Sequence, residues 1–282
     1  MRLFFIILTL IILGVALLTL LRSPRTDREW EPHQAPTPVF SPQTDGVWRL
    51  SPLREYAFDA SGPVRTDWRD ISLRPNDLSE IWFFVEPFAG WDGVGHTFLS
   101  FVFEGKSPQV VSVSVEARKE VGEEYSALRG LFNAYELLYQ WSTEQDIVTR
   151  ITQHLGHDLY AYKLDVSPEQ ARAILDHFIQ RTNRLHARPR FYNTITSNCT
   201  NELAKAVNEA YPGALPWRRE HVFTGRSDRY LLRRGFIAGD GDYQEVRERA
   251  NIREIISGLS IEDPDAFSAR WRRIRGKAIA SN

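Results

Sequence analysis

Cys199 is the only cysteine in the 282-residue chain and the side chain best suited to act as a nucleophile. It follows Ser197 and Asn198, two residue types that favour the N-cap of a helix, and good helix formers continue to residue 210. Cys199 is therefore predicted in the first turn of a helix, where free N–H groups and the helix dipole stabilise a thiolate. The pattern is also compatible with a cysteine that serves only in packing.

His96 is the best candidate for the base that a nucleophilic thiol requires. It begins a predicted strand at residues 95–103, directly after a glycine-rich approach at 90–95 that lets another backbone come close. The other histidines are predicted in a linker, on a helix or in segments without a regular pattern. Among the seven histidines, His96 is thus the one placed for chemistry.

Glu116 ends the next predicted strand and could orient the imidazole. Valines at 111, 113 and 115 alternate with Ser112, Ser114 and Glu116, so the polar side chains share one face. A hairpin with the preceding strand would bring Glu116 beside His96. The alternative is that Glu116 belongs to a solvated charged cluster with residues 118–120.

Composition excludes several other kinds of site. With 43% hydrophobic and 25% charged residues the chain is globular, and a net charge of -1 gives no field that would recruit nucleic acid. A single cysteine excludes an internal disulfide and a multi-cysteine zinc site. His154 and His157, with Asp158, could supply two metal ligands at one-turn spacing, but no third ligand is identifiable nearby, so neither a metal nor a cofactor is predicted.

The N-terminus predicts a membrane anchor followed by a linker. Residues 3–21 carry no charge and would form a helix of about 28 Å, close to the thickness of a bilayer core. We interpret residues 1–22 as an uncleaved transmembrane anchor, with a cleaved signal peptide as the alternative. Arginines at 22, 25 and 28 would place the following residues in the cytoplasm, but charge alone leaves the orientation open. Five prolines predict an extended linker over residues 23–47.

Residues 48–282 are predicted to form one α+β domain, an antiparallel sheet packed with helices. Residues 48–74 are predicted to cover the domain surface as irregular structure, and the basic run at 270–277 is typical of the solvated side of a helix. The remaining patterns predict strands at 81–85, 95–103, 110–116 and 159–164, and helices at 125–141, 167–185 and 199–210.

Three motifs carry a family resemblance: Gly-His-Thr-Phe-Leu-Ser-Phe at 95–101, Ser-Val-Glu-Ala-Arg-Lys-Glu at 114–120 and Arg-Phe-Tyr-Asn-Thr-Ile-Thr-Ser-Asn-Cys-Thr at 190–200. From about residue 64 to 216 the chain resembles the Lnb N-terminal periplasmic domain family. That family is similar to circularly permuted papain and NlpC-type enzymes, in which the histidine strand precedes the cysteine helix, as in lecithin retinol acyltransferase. The resemblance implies catalytic roles for Cys199, His96 and Glu116.

The resemblance also implies a location and an activity. It places the domain in the periplasm, and together with the predicted anchor this gives a single-pass inner-membrane protein. Family members include lipoprotein N-acyltransferases, so the expected activity moves an acyl chain from a phospholipid to a lipoprotein amine through a thioester at Cys199. Backbone N–H groups would stabilise the oxyanion, with Tyr192, Asn193 or Asn198 as side-chain donors.

Two other classes of function stay open. With water as the acceptor the same thiol would make a peptidase, an amidase or a phospholipase of the cell envelope. The domain could also be a binding module without catalytic activity.

Overall fold

The computed structural model describes residues 21–88, 93–239, 241–261 and 263–280, together with positions 2, 4–7, 9, 14 and 19. Its centre is an eight-stranded sheet in the order β1-β2-β7-β6-β5-β4-β8, with β3 paired to the other edge of β2. All pairs are antiparallel except for a parallel bridge between β2 and β7. The strands are β1 (Val39–Pro42), β2 (Trp48–Asp59), β3 (Gly62–Leu73), β4 (Leu78–Pro87), β5 (Gly95–Phe103), β6 (Gln109–Arg118), β7 (Glu136–Thr143) and β8 (Tyr160–Lys163).

Helices cover both faces of the sheet, and after β8 all further elements that the structure describes are helical. They are α1 (Glu144–Thr149), α2 (Pro168–Ala187), α3 (Cys199–Ala210), α4 (Ser227–Arg233), α5 (Tyr243–Ala250), α6 (Arg253–Ser257) and α7 (Pro264–Ala280). A π-helical turn (Arg150–His154) continues α1. The predicted α+β class with a large sheet is confirmed.

Alternation along the central strands gives the sheet two apolar faces. On one face Phe101 and Val113 pack with α2 and α3, and the ring of Phe101 lies 5.8 Å from that of Phe178. On the other face Phe84 stacks on Phe98 at 4.4 Å. Because both faces are covered by helices, most side chains of β4 to β7 are buried, and the start of β5 is held between two layers.

Two sequence-based predictions were wrong in this region. Residues 125–141 form a turn (Arg129–Phe132) and the strand β7 instead of a helix, because their aromatics alternate and line one sheet face. Residues 48–74 form the long hairpin of β2 and β3 instead of irregular structure. Pro52 interrupts the strand pattern of β2 in the sequence. The hairpin accommodates this proline at a register shift between Leu50 and Leu53, where proline is tolerated.

The segment 23–47 does not form an extended linker. Trp30 and Phe40 are buried, and residues Val39–Pro42 add β1 to the sheet. The cation of Arg118 lies 4.1 Å from the ring of Trp30 and holds it in place. The apolar side chains of this proline-rich segment therefore pack on the domain.

The predicted anchor at residues 1–22 falls largely outside the described residues. Across the ranges given above, no helix is both long enough and apolar enough to span a membrane.

The basic run at 270–277 is only partly solvated. Trp271 is fully buried, and Arg272 pairs with the buried carboxylate of Glu144 at 2.6 Å. The C-terminal helix α7 thus packs on the sheet face that carries Phe84 and Phe98.

Candidate functional site

Cys199 is the first residue of α3, as predicted, and only 6% of it is exposed. Asn198 caps the helix, since its side-chain oxygen accepts a hydrogen bond from the N–H of Asn201 at 2.8 Å. The N–H groups of Cys199 and Thr200 belong to the first turn and have no acceptor within the helix. They are donors available to an oxyanion on an atom bonded to the sulfur.

His96 is the second residue of β5, and its side chain faces β6. Its Nε2 lies 2.6 Å from the Ser114 hydroxyl and 3.3 Å from a carboxylate oxygen of Glu116. Ser114 donates its own proton to Glu116, so it accepts from His96 and the imidazole carries its proton on Nε2. Nδ1 is then the nitrogen left for the sulfur of Cys199.

The electrostatics of the pair favour a thiolate and an imidazolium. Burial lowers the pKa of His96, but the charge of Glu116 and hydrogen bonds to Cys199 and Glu116 together raise it well above its ordinary value. Burial raises the pKa of the Cys199 thiol, but the hydrogen bond and charge of His96 and two hydrogen bonds from Thr97 bring it below its ordinary value. The predicted meeting of these two side chains with Glu116 is thus present in the structure.

Glu116 is held as a carboxylate. Burial raises its pKa, but the charge and hydrogen bond of His96, the charge of Arg150 and the hydrogen bond from Ser114 bring it well below its ordinary value. The alternative of a freely solvated charged cluster does not describe Glu116, which is half-buried and bound to His96. An ionised carboxylate at this position stabilises the imidazolium.

Gly95 permits the close approach that its neighbours suggested. A Cβ on this residue would lie 2.7 Å from the Cα of Gly225 and 2.9 Å from the carbonyl oxygen of Glu86. The N–H of Gly95 donates to the Thr224 hydroxyl at 3.1 Å. The segment after His221 therefore packs directly on the start of β5, beside the sulfur, which lies 4.0 Å from the Gly95 carbonyl oxygen.

The three predicted oxyanion donors have different surroundings. Asn198 donates both amide hydrogens, to the carbonyls of Thr194 and His221 at 2.8 Å each, so neither is left for an oxyanion. Asn193 holds a turn, accepting from two backbone N–H groups at 3.0 Å and donating to the Leu131 carbonyl. Tyr192 is buried and its hydroxyl lies 3.3 Å from that of Tyr125. Burial, and after it the charge of Cys199, raises the Tyr192 pKa, so it stays a neutral donor near the sulfur.

Sequence reasoning missed three residues of the site. Ser114, on the same face as Glu116, could have been found from the alternation of β6. Thr97 donates hydrogen bonds to the sulfur of Cys199, and its hydroxyl lies 3.0 Å from that of Thr200. It was missed because it follows His96 directly and so lies on the opposite face of the strand. Thr224 lies 129 positions from Gly95, and no local pattern indicates that contact.

The histidines considered as metal ligands are engaged elsewhere. His154 stacks on Phe58 with ring centroids 5.8 Å apart, and His157 pairs with Glu86 at 2.6 Å. In the part of the chain that the structure describes, no group of three potential ligand side chains converges.

Comparison with known families matches residues 65–225 of the chain to the Lnb N-terminal periplasmic domain model. The match covers more than half of the chain, includes Cys199, His96 and Glu116, and reaches Gly225, beyond the boundary near 216 expected from the motifs. Comparisons with curated proteins and with solved structures gave no match. The cytoplasmic placement that the arginines after residue 21 would give does not hold, because the family is periplasmic. The chain belongs to the Lnb N-terminal periplasmic domain family.

Proposed function

We propose that this protein is a cysteine-dependent acyltransferase of the cell envelope, which moves an acyl chain from a phospholipid to the amino group of a lipoprotein. The observation that carries the proposal is the meeting of the sulfur of Cys199, the imidazole of His96 and the carboxylate of Glu116 at the start of β5. In chain order the histidine strand precedes the cysteine helix, which supports a circularly permuted papain-like arrangement.

In the first step the Cys199 thiolate attacks the ester carbon of the phospholipid. The N–H groups at the start of α3 stabilise the oxyanion that develops. The carbon–oxygen bond to the glycerol breaks, and the proton on Nδ1 of His96 passes to the leaving alkoxide. The products are a thioester on Cys199 and a lysophospholipid.

In the second step the neutral amine of the acceptor attacks the thioester carbon. Its proton passes to Nδ1 of His96, the carbon–sulfur bond breaks, and the thiolate returns beside the imidazolium. Glu116 stabilises the positive charge on the ring both before and after the cycle. The acceptor leaves as an amide.

The acyl chain as the transferred group is proposed from the family resemblance. The apolar gap in the core beside α3, lined by side chains that include Thr200, Leu203 and Val207, has a volume of about 40 Å³, which is too small to hold an acyl chain.

The test is a reconstituted reaction with the full chain, a phospholipid and a diacylglyceryl-cysteine lipopeptide. Mass spectrometry should detect the N-acylated peptide, and its formation should fall by at least about 10³-fold in Cys199→Ala. His96→Gln should behave similarly. The matched control is His186→Gln, since His186 is exposed and its Nδ1 lies 3.0 Å from the Thr37 hydroxyl, away from the Cys199 site; it should retain activity.

The products decide between the classes of function. Free fatty acid without amide would indicate a hydrolase. Absence of both products, together with iodoacetamide alkylation of Cys199 that follows an ordinary thiol near pH 8.5, would favour a binding module. Absence of both products with fast alkylation below pH 7 would leave a peptidase or an amidase. The proposal requires alkylation below pH 7 that slows in His96→Gln.

A further inference from the structure

Three large apolar side chains lie exposed in the two turns next to the candidate active site. Leu128 is 67% exposed, Phe132 44% and Ile195 41%. We refer to these three side chains as the apolar rim. Neighbouring exposed apolar side chains are typical of surfaces that bind a protein, a membrane or a ligand.

The two turns form one unit. The N–H of Thr194 donates to the carbonyl of Gly130 at 3.3 Å, and its hydroxyl donates to the carbonyl of Ala127 at 2.7 Å. These bonds hold the turn that carries Ile195 against the turn that carries Leu128. The apolar rim is therefore a fixed surface with a defined shape.

The apolar rim borders the nucleophile. The carbonyl of Ile195 accepts a hydrogen bond from the side chain of Asn201 at 2.6 Å, and Asn201 lies in the same helical turn as Cys199. The sheet register gives the same result, because Glu116 pairs with Leu138 near the start of β7, just after the turn at 129–132. Catalytic groups and rim share one end of the molecule.

The uncharged N-terminal segment reaches the body at the same place. Asn133, the residue after Phe132, donates from its side chain to the carbonyl of Thr19 at 3.3 Å and accepts from the Arg22 guanidinium at 3.1 Å. Residues 3–21 have no charged side chain. A lipid phase that takes up this segment would thus begin next to the rim, with the exposed Arg22 at the level of the phosphates.

We propose that the apolar rim is a docking surface for the lipid bilayer, which turns the entrance of the Cys199 site towards the membrane. Leu128, Phe132 and Ile195 insert at the boundary between head groups and acyl chains. This inference rests on the proposed function for its purpose, since a phospholipid donor could then enter the site without leaving the membrane. A protein partner on the rim is the competing outcome.

The test measures lipid contact and does not depend on activity. Leu128→Cys, Ile195→Cys and Val64→Cys are each made in the full chain on a Cys199→Ser background, labelled with an environment-sensitive fluorophore and placed in nanodiscs. Val64 is the control: it is 52% exposed and lies on β3. Because β2 runs parallel to β7 with Arg54 opposite Ser142, the turn before Val64 lies at the end of the sheet away from the rim.

Brominated acyl chains should quench labels at 128 and 195 by at least twofold and the label at 64 by less than one tenth. Equal quenching at all three positions, or none at the rim, would overturn the proposal. Rim labels that respond only when a second protein is added would also overturn it, in favour of a protein partner.

A second measurement relates docking to catalysis. The double variant Leu128→Ser with Phe132→Ser should react at least fivefold more slowly with a phospholipid in a bilayer. Its rate with a water-soluble short-chain ester and its alkylation by iodoacetamide should match those of Val64→Ser. Equal losses with both donors would show that the rim serves the fold and contradict docking. If the unsubstituted protein transfers an acyl group from neither the phospholipid nor the short-chain ester, the proposed function fails. The quenching result still decides whether the rim is a docking surface.

Discussion

Glu202→Gln should destabilise the domain far more than Glu209→Gln, although both carboxylates pair with Arg181. Glu202 has no exposed surface, whereas 38% of the Glu209 side chain is exposed. Glu202 also accepts hydrogen bonds from Arg190 at 2.9 Å, Lys205 at 2.7 Å and the hydroxyl of Tyr139 at 2.5 Å. The substitution therefore leaves several donors facing a neutral amide, on the helix that begins at Cys199.

The size of the effect follows from burial. Removing one partner of a buried ion pair costs about 3–5 kcal/mol, because the other charge stays buried without compensation. Arg181 is 8% exposed but keeps Glu209 and Tyr139, so the low end, about 3 kcal/mol, applies to Glu202→Gln. An exposed pair contributes about 0–1 kcal/mol, which is the expected cost of Glu209→Gln.

Urea unfolding of the full chain in detergent measures both variants. With a slope of about 3 kcal/mol per M, the midpoint should fall by about 1 M for Glu202→Gln and by less than about 0.3 M for Glu209→Gln. Equal shifts would refute the reasoning, because they would mean that burial does not govern the strength of these pairs. An unchanged thiol alkylation rate in Glu209→Gln serves as a check that the site is intact.

The stabilisation that the Glu202 carboxylate contributes depends on pH. Burial raises the pKa of Glu202, but the charges of Arg181, Arg190 and Lys205 bring it well below its ordinary value. A carboxyl whose folded pKa is lowered stabilises the fold above its unfolded pKa, near 4.3, and loses that stabilisation as the pH falls. The difference between the unsubstituted protein and Glu202→Gln should narrow by about 1 kcal/mol from pH 7 to pH 3.5. A constant difference would contradict this assignment.

Three further substitutions test the positions around the site. Gly95→Ala should cost about 1–3 kcal/mol and slow thiol alkylation, since its Cβ would lie 2.7 Å from the Gly225 backbone, whereas Gly276→Ala meets nothing within 4 Å and should be tolerated. Unchanged alkylation in Gly95→Ala would contradict the close approach. Ser114→Ala should slow alkylation of Cys199 at pH 6.5 and lower the free energy of unfolding in urea by only about 1 kcal/mol, because it removes the hydroxyl between imidazole and carboxylate. An unaltered dependence of alkylation on pH would mean that Ser114 does not link His96 to Glu116. Trp271→Ala should lower the free energy of unfolding in urea by about 3–5 kcal/mol, as expected for a fully buried ring. A decrease below about 1 kcal/mol would mean that α7 is not part of the core.

The sequence by itself determined the local features of the site. Good N-cap residues before a run of helix formers placed Cys199 in a first turn, and strict alternation placed Ser114 and Glu116 on one strand face. A glycine-rich approach marked His96 as the histidine at a close contact. These features depend on residues within a few positions of one another, so a pattern can record them.

The tertiary structure alone decided what distant segments contribute. Residues 48–74 and 125–141 became strands because a partner strand completes their hydrogen bonds and buries their aromatics, which no local propensity encodes. Contacts between Thr224 and Gly95, and between Asn133 and Thr19, join segments more than 100 positions apart. The perturbed pKa values of Cys199 and His96 likewise arise only when burial and charges from three elements meet at one point.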